Sequence, residues 1–302
     1  MTVTNVTVVM PAYNHEDYVG ASISSVLAQT HADIRLIVID DGSTDNTGAV
    51  VKAIDDPRLE YFYQENQDAF NTLNRGLSMV DTPYAAILNS DDVYLPTRLA
   101  TLIEAQKQSG AQCLFTDVTS ISDQGEPMLD PAFFWNQWHQ KNRKKCFDCG
   151  DLYTAFLHGN FMVTTSNLFM TRDVIDKVGQ FCSFRYLHDY DYMFRILLAF
   201  PGKVQYLHDQ NLLYYRIHGS NTLSEAAVIG REQDQEIIRK YLLARFPNVQ
   251  HDMLNTGIDR LIALEHELVE AHAERQRNFE SKSTPIPEIE RGMLQRLKGL
   301  LR

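Results

Sequence analysis

Ile34-Arg35-Leu36-Ile37-Val38-Ile39-Asp40-Asp41-Gly42-Ser43-Thr44-Asp45 is the stretch that decides the fold. Its first half is a near-continuous run of branched apolar side chains, the pattern of a strand buried on both faces. Its second half is a cluster of turn formers, which closes the strand and puts two adjacent carboxylates at its carboxyl end. The same grammar repeats on either side. Residues 3–10 read as a strand ended by Pro11, and Val19, Ile23, Val26 and Leu27 recur at helical spacing within 18–29. Residues 47–54 read as a helix, 59–63 as a strand, 70–80 as a helix and 84–88 as a fourth strand running into Asn89-Ser90-Asp91-Asp92. Strands alternating with helices imply right-handed βαβ units, hence an α/β domain with a mostly parallel, Rossmann-like sheet flanked by helices. In such sheets a ligand sits beyond the carboxyl ends of the strands. Residues 11–14, 40–45, 64–67 and 89–92 are polar clusters at those ends.

The chain has 302 residues, 44% of them apolar, and a formal charge of −11, which suits a globular fold and disfavours general nucleic-acid binding. Its apolar runs fall short of the ~18 residues of a membrane span, and with no Lys or Arg before Arg35 the start lacks a signal-peptide pattern; the chain reads as soluble and cytoplasmic. Four cysteines are too few for a disulfide scaffold. Cys146-x-x-Cys149 follows a basic run instead of joining a strand to a helix, and no second ligand pair accompanies it, so incidental thiols are favoured over redox or zinc chemistry.

Four chemistries compete for the polar clusters. The adjacent carboxylates Asp91 and Asp92 suit a hard divalent cation, or else a solvated turn. Asp40 and Asp41 are adjacent, so on an extended strand end they point to opposite sides, which excludes the D-x-D spacing of a haloacid dehalogenase phosphatase. No G-x-G-x-x-G follows the first strand, which excludes a Rossmann dehydrogenase. A nucleotidyltransferase would want a glycine-rich basic loop there, and residues 11–17 contain neither Gly nor Lys.

Taken together, Val8-Val9-Met10-Pro11-Ala12-Tyr13-Asn14, Ser24-Ser25-Val26-Leu27-Ala28-Gln29-Thr30, Asp40-Asp41-Gly42-Ser43-Thr44-Asp45, Leu73-Asn74-Arg75-Gly76-Leu77 and Asn89-Ser90-Asp91-Asp92 resemble, in order and spacing, the family 2 inverting glycosyltransferases. Departures are Asn89 where Asp is frequent, His15 where Lys or Arg is commoner, and His188 where the second-half segment has Glu. The resemblance covers residues 3 to about 220 and implies the GT-A fold: a glycosyltransferase domain over 1–222, with 1–115 binding the nucleotide-sugar and 116–222 the acceptor, then a helical extension over 223–302. It implies a nucleoside wall of Pro11, Tyr13 and Asp41, with Asp41 accepting from a pyrimidine N3–H and Asp40 as its partner. Asn74 would approach the donor, Asp91 would lie near the ribose or sugar, and Asp92 would hold Mn²⁺ or Mg²⁺. His188-Asp189-Tyr190-Asp191-Tyr192-Met193-Phe194-Arg195 resembles the family's Glu-Asp-x-Asp segment and implies Asp189 as catalytic base, with Asp191 stabilised at a helix start. Tyr215-Arg216-Ile217-His218 resembles a following segment whose His can reach the metal, or else is pinned by its neighbours.

The implied reaction is metal-dependent transfer from a nucleoside-diphosphate sugar, UDP before dTDP, to a glycan or lipid-linked glycan acceptor in surface polysaccharide synthesis. The alternative from another class is a catalytically silent sugar-nucleotide or glycan binder. Residues 131–147, dense in aromatic and basic side chains, read as a loop facing an acceptor or a membrane, or as a lid with solvated charges. Leu254, Ile258, Leu261, Leu264 and Leu268 form a stripe that could pack in a core or pair two copies as a homodimer. Arg291, Arg296, Lys298 and Arg302 with their neighbouring leucines make a basic amphipathic helix that can lie peripherally on an anionic membrane, or dock on protein.

Overall fold

The computed structural model describes residues 5–219 and 229–282. Two compact units emerge, Met1–Tyr241 and Leu242–Arg302. The first is built on an eight-stranded sheet of order β3-β2-β1-β4-β7-β6-β8-β5. Its strands are β1 (Val6–Ala12), β2 (Ile34–Asp40), β3 (Leu59–Tyr63), β4 (Tyr84–Ile87), β5 (Val93–Tyr94), β6 (Cys113–Ile121), β7 (Phe169–Thr171) and β8 (Val204–Arg216). The helices are α1 (Val19–Leu27), α2 (Thr47–Lys52), α3 (Ala69–Ser78), α4 (Arg98–Ser109), α5 (Phe134–Cys149), α6 (Leu152–Phe156), α7 (Arg172–Val178), α8 (His188–Ala199) and α9 (Ile229–Leu243). The four strands expected from the sequence pair in parallel, whereas β7 runs antiparallel to both β4 and β6, and β5 antiparallel to β8. The sheet is therefore mixed, with its parallel half carrying the first 87 residues.

Alternation along β1 explains the two layers. Val6, Val8 and Met10 enter one apolar core and Val9 the other, so both faces are covered. Helix α3 lies close against the sheet because Gly76 has no side chain; a Cβ there would sit 2.2 Å from Val9 Cγ1. The first strand continues through Pro11 to Ala12, one step past its expected end. Pro11 stands above the last β1–β4 rung, which ends at Val9–Ile87, so its missing N–H removes no ladder bond.

Two expectations change. Residues 134–149 are a helix, not a loop. Its buried face is Trp135, His139 and Asn142, and two polar residues on that face hide the apolar period. Gly150, at φ +74°, ends it. The boundary expected at 222 falls later, because Ile237 and Tyr241 of α9 belong to the second core cluster. The second unit carries α10 (His251–Lys282), whose Leu261 and Leu264 are exposed; the side chain of Leu268 and the whole basic segment 291–302 lie outside the described residues. Among the described residues no helix is long and apolar enough to cross a membrane.

Candidate active site

The carboxyl ends of β1, β2 and β4 lie side by side because β1 pairs with both neighbours. Hydrogen bonds then lace their loops together. Asn14 Oδ1 accepts from Thr44 N at 2.8 Å, Asn14 N donates to Ser43 Oγ, and His15 N donates to Thr47 Oγ1 at 2.8 Å. Asn14 takes φ +50°, a left-handed turn that Asn tolerates, and this aims the next residue, His15, toward the end of β4. There His15 Nδ1 meets Ser90 Oγ at 2.8 Å.

His218, just past β8, reaches the same place: its Nε2 lies 3.1 Å from Asp91 Oδ2. One ligand atom each from His15, Asp91 and His218 falls within 4.8 Å of the others. Asp91 Oδ1 is buried with no hydrogen-bond partner. Burial opposes ionisation of Asp91, but the His218 hydrogen bond and the charges of His15 and His218 outweigh it and hold the carboxyl below its ordinary range. Two imidazoles and one carboxylate, with a buried oxygen of that carboxylate left unpartnered, form a donor set that fits a divalent cation.

Its neighbour Asp92 is placed quite differently from the expectation. The side chain is fully buried and turned inward. Oδ2 accepts from Ser166 Oγ at 2.6 Å and Thr164 Oγ1 at 3.3 Å, and Oδ1 accepts from Arg216 N at 3.0 Å. Burial and the charge of Asp91 push its carboxyl well above the ordinary value. Asp92 thus braces β4, the 164–166 turn and β8 against one another, and it is absent from the cluster that gathers His15, Asp91 and His218.

The other expected residues divide in the same way. Asp40 is buried, accepting from Ser43 N at 2.9 Å and Tyr61 Oη at 2.8 Å, so it secures the β2 turn. Asp41 Oδ1 accepts from Gln64 Nε2 and Gln67 N at 2.6 and 3.0 Å, and its Oδ2 carries no hydrogen bond from the described residues. Tyr13 is 46% exposed, and Pro11 is half-buried at the end of the same strand. Asn74 lies away from these groups in its bonding: both ends of its amide are taken by the backbone of Phe181, at 2.7 and 3.1 Å. It ties α3 to the segment before α8, with one N–H of its amide and one lone pair of its oxygen left over from these two bonds.

Asp189 sits in the first turn of α8, buried, with Oδ1 accepting from Tyr190 N at 2.7 Å and Oδ2 from Asn160 Nδ2 at 3.2 Å. Burial raises its pKa, and the His188 charge and these hydrogen bonds only partly offset that. Asp191, the competing carboxylate, is fully committed: Arg195 Nε, Lys240 Nζ and Tyr241 Oη donate to it at 2.8, 2.7 and 2.6 Å. Burial and then the charges of Asp92, Asp91 and Asp189 raise the Tyr215 hydroxyl. The 160–166 segment ties Asp189, through Asn160, to Asp92, through Thr164 and Ser166.

His15 is the residue that sequence reasoning missed, having noted it only as a departure. The available signal was the sheet order, since adjacent β1 and β4 must bring residue 15 near residue 91. Asn160, Thr164 and Ser166 were missed because their segment carries no periodicity.

The sequence profile of Glycosyl transferase family 2 matches residues 7–172, more than half of the chain. The chain belongs to glycosyl transferase family 2. An uncharacterised glycosyltransferase of Nostoc sp. is 29% identical over 232 residues, spanning 76% of this chain and 70% of the relative. The succinoglycan biosynthesis protein ExoO of Rhizobium meliloti is 35% identical over 127 residues, 42% of this chain and 36% of that one. The chain spans about two thirds of the length of the curated relatives that match most of it. Among solved structures, Staphylococcus aureus TarS 1-349 in complex with UDP-GlcNAc aligns with a TM-score of 0.62 at 16% identity, covering 82% of this chain and 69% of TarS. The mannosyltransferase PcManGT of Pyrobaculum calidifontis, in complex with GDP-Man and Mn²⁺, aligns at 0.59 and 15% identity, covering 99% and 81%. The mixed sheet with flanking helices is the fold that this chain shares with these two structures.

Proposed function

We propose that this family 2 glycosyltransferase moves a sugar from a nucleoside-diphosphate sugar to an acceptor hydroxyl with inversion, and that it works with a divalent cation. The observation that carries the reading is the meeting of His15, Asp91 and His218 at the carboxyl edge of the sheet, with the buried Asp189 tied through the 160–166 segment to Asp92, the neighbour of Asp91. Asp91, His218 and His15 are the residues that would hold the ion, in place of Asp92. Two imidazoles make Mn²⁺ a better match than Mg²⁺, which prefers oxygen and water. When bound, the cation supplies positive charge beside the departing diphosphate. Ser90, bonded to His15 Nδ1, fixes the ring's orientation.

The protein's own residues do the rest. Asp41 offers Oδ2 to a base N3–H while Gln64 and Gln67 hold Oδ1, which favours UDP, then dTDP. Tyr13 supplies an exposed ring for the base to lie against. Asp189 accepts the proton of the acceptor hydroxyl as its oxygen bonds to the sugar C1. The C1–O bond to the diphosphate breaks on the opposite face, and the leaving diphosphate keeps the electron pair. The raised pKa of Asp189 makes it a stronger base than an exposed carboxylate. A polysaccharide acceptor is in keeping with the succinoglycan role named for ExoO.

Calorimetric titration with UDP, dTDP, GDP and CDP, with Mn²⁺ and again with EDTA, tests the donor half. Metal-dependent binding of one nucleotide is the expected result. Binding of none under either condition overturns the reading; metal-dependent binding with no turnover of any sugar nucleotide favours the catalytically silent module.

A further inference from the structure

Helix α5 presents two unlike faces. Inward, Trp135 stacks on Tyr215 with ring centroids 5.7 Å apart, and His139 stacks on Trp135 at 5.1 Å. Burial, with the nearby Arg143 charge, lowers the His139 pKa to about 4, so this face is an uncharged aromatic column. Arg143 is also spent inward, donating to His208 O at 2.7 Å and pairing with Asp117 at 2.8 Å.

Outward, Phe134, Trp138, Lys141 and Lys145 recur at i, i+4, i+7 and i+11, with Lys144 on the flank. Phe134 is 70% exposed and Trp138 42%, and Leu129 and Phe147 add two more exposed apolar side chains at either end. Most of the exposed large apolar side chains of the first unit fall in this one segment. No ion pair engages Lys141, Lys144 or Lys145 among the described residues. Exposed aromatic side chains gathered on one helix face and rimmed by lysines mark a surface that meets a partner.

We propose that the outer face of α5 docks on an anionic lipid bilayer. The chemistry selects that occupant. Trp and Phe settle at the headgroup level, and lysines lay their methylene stems along apolar surface while their ammonium groups meet lipid phosphates. Nucleic acid meets the same three lysines but offers no apolar layer to take up the Phe134 and Trp138 side chains. At 16 residues, with lysines on its outer face, α5 lies on the surface and does not span it. The inner aromatic column joins this face to Tyr215, the residue before Arg216, which bonds Asp92 Oδ1 and Asp91 O, so docking holds this end of the sheet against the lipid. The surface itself stands independently of the transfer chemistry.

The test uses the full chain and its own fluorescence. Of its two tryptophans, Trp135 is buried and Trp138 exposed, so emission changes on vesicle binding report α5. With vesicles containing one third phosphatidylglycerol, the emission shifts to the blue and is quenched by brominated lipid; with pure phosphatidylcholine neither occurs. Replacing Lys141, Lys144 and Lys145 together by Gln weakens partitioning by about a hundredfold, leaving nucleotide affinity unchanged. No binding to anionic vesicles overturns the proposal. So does binding without quenching, which places the contact on another segment, and so does binding that the triple replacement leaves unaltered.

Discussion

The two neighbouring carboxylates can be separated by paired isosteric replacements. Asp91→Asn and Asp92→Asn each remove one charge from adjacent positions, so a long-range electrostatic account predicts similar losses. The geometry predicts opposite ones. Asp91 shares its cluster with His15 and His218 and keeps one buried oxygen without a partner. A carboxylate oxygen ~2.2 Å from a divalent ion contributes about 4 kcal/mol even at the dielectric of water, so Asp91→Asn should weaken Mn²⁺ binding by roughly three orders of magnitude. Asp92 makes three hydrogen bonds, one from Arg216 N–H and two from the hydroxyls of Ser166 and Thr164. An Asn can keep its carbonyl on the Arg216 N–H and turn its amide to the Ser166 hydroxyl, which rotates and accepts, giving up the longer Thr164 bond. That exchange costs about 1 kcal/mol or less, and Mn²⁺ affinity should change less than tenfold. Asp92→Ala instead leaves three donors unmatched in a buried site, at about 1–3 kcal/mol each, and should lower the urea midpoint sharply. The assay is calorimetric titration of Mn²⁺ with the nucleotide present, beside urea unfolding of every variant. A well-folded Asp92→Asn that loses the metal, with Asp91→Asn keeping it, would refute the assignment.

Asp189→Asn should cut kcat by ~10²–10⁴ while nucleotide affinity holds within a few fold. In the parent chain the acid limb of kcat/KM should fall with one-proton slope above the ordinary Asp value of about 3.9, since burial raises the group and activity is lost as pH drops through that raised pKa. A limb at the ordinary value, or a fully active Asn variant, would remove Asp189 as base. Asp191→Ala should cost about 3 kcal/mol by leaving Arg195 Nε without its carboxylate, while the Tyr241 hydroxyl keeps the residue 191 carbonyl and Lys240, half-exposed, escapes to water. Burial opposes ionisation of Asp191, but hydrogen bonds from Lys240, Tyr241 and Arg195 hold its pKa low, so its stabilisation is present above about pH 3.9 and lost as pH falls through the depressed value; equal acid unfolding of parent and variant would count against this. Gly76→Ala should cost about 2 kcal/mol by pressing a methyl into Val9, read as a lower urea midpoint at unchanged slope.

The parallel half of the sheet was legible because each strand is a short, branched apolar run with turn formers behind it; residues 59–63 coincide with β3 end to end. The antiparallel additions were not, for β7 is three residues and β5 two, too short to show a period. Helix α5 was hidden for another reason, a buried face that includes His139 and Asn142. At the site, proximity to the strand ends found Asp40, Asp41, Asp91 and Asp92, but could not divide them into chemical and structural members. That division depends on partners remote in sequence: Tyr61 for Asp40, Ser166 and Arg216 for Asp92, His218 for Asp91. The distinction between Asp189 and Asp191 rests likewise on Lys240 and Tyr241, some fifty residues away.

One short segment holds the two halves of the site in register. Asn160 bonds Asp189, Thr165 meets His188 at 3.4 Å, Thr164 and Ser166 bond Asp92, and Ser166 also accepts from Asn89 N. In its middle Val163 adopts φ +80°, a left-handed conformation costly for a β-branched residue. Strain of about 1–3 kcal/mol persists only where the surroundings over-determine the backbone, and here hydrogen bonds on both sides do so. Val163→Gly relieves the strain but loses a half-buried side chain packed on the core and adds backbone entropy to the unfolded chain. These terms nearly cancel, so stability should change by no more than about 1 kcal/mol. Catalysis should not escape so lightly: with a freer backbone between Asn160 and Thr164, kcat should fall while nucleotide affinity stays level. A variant destabilised by more than ~3 kcal/mol would show that packing, not strain, fixes Val163. An unchanged kcat would show that the base is positioned by α8 alone.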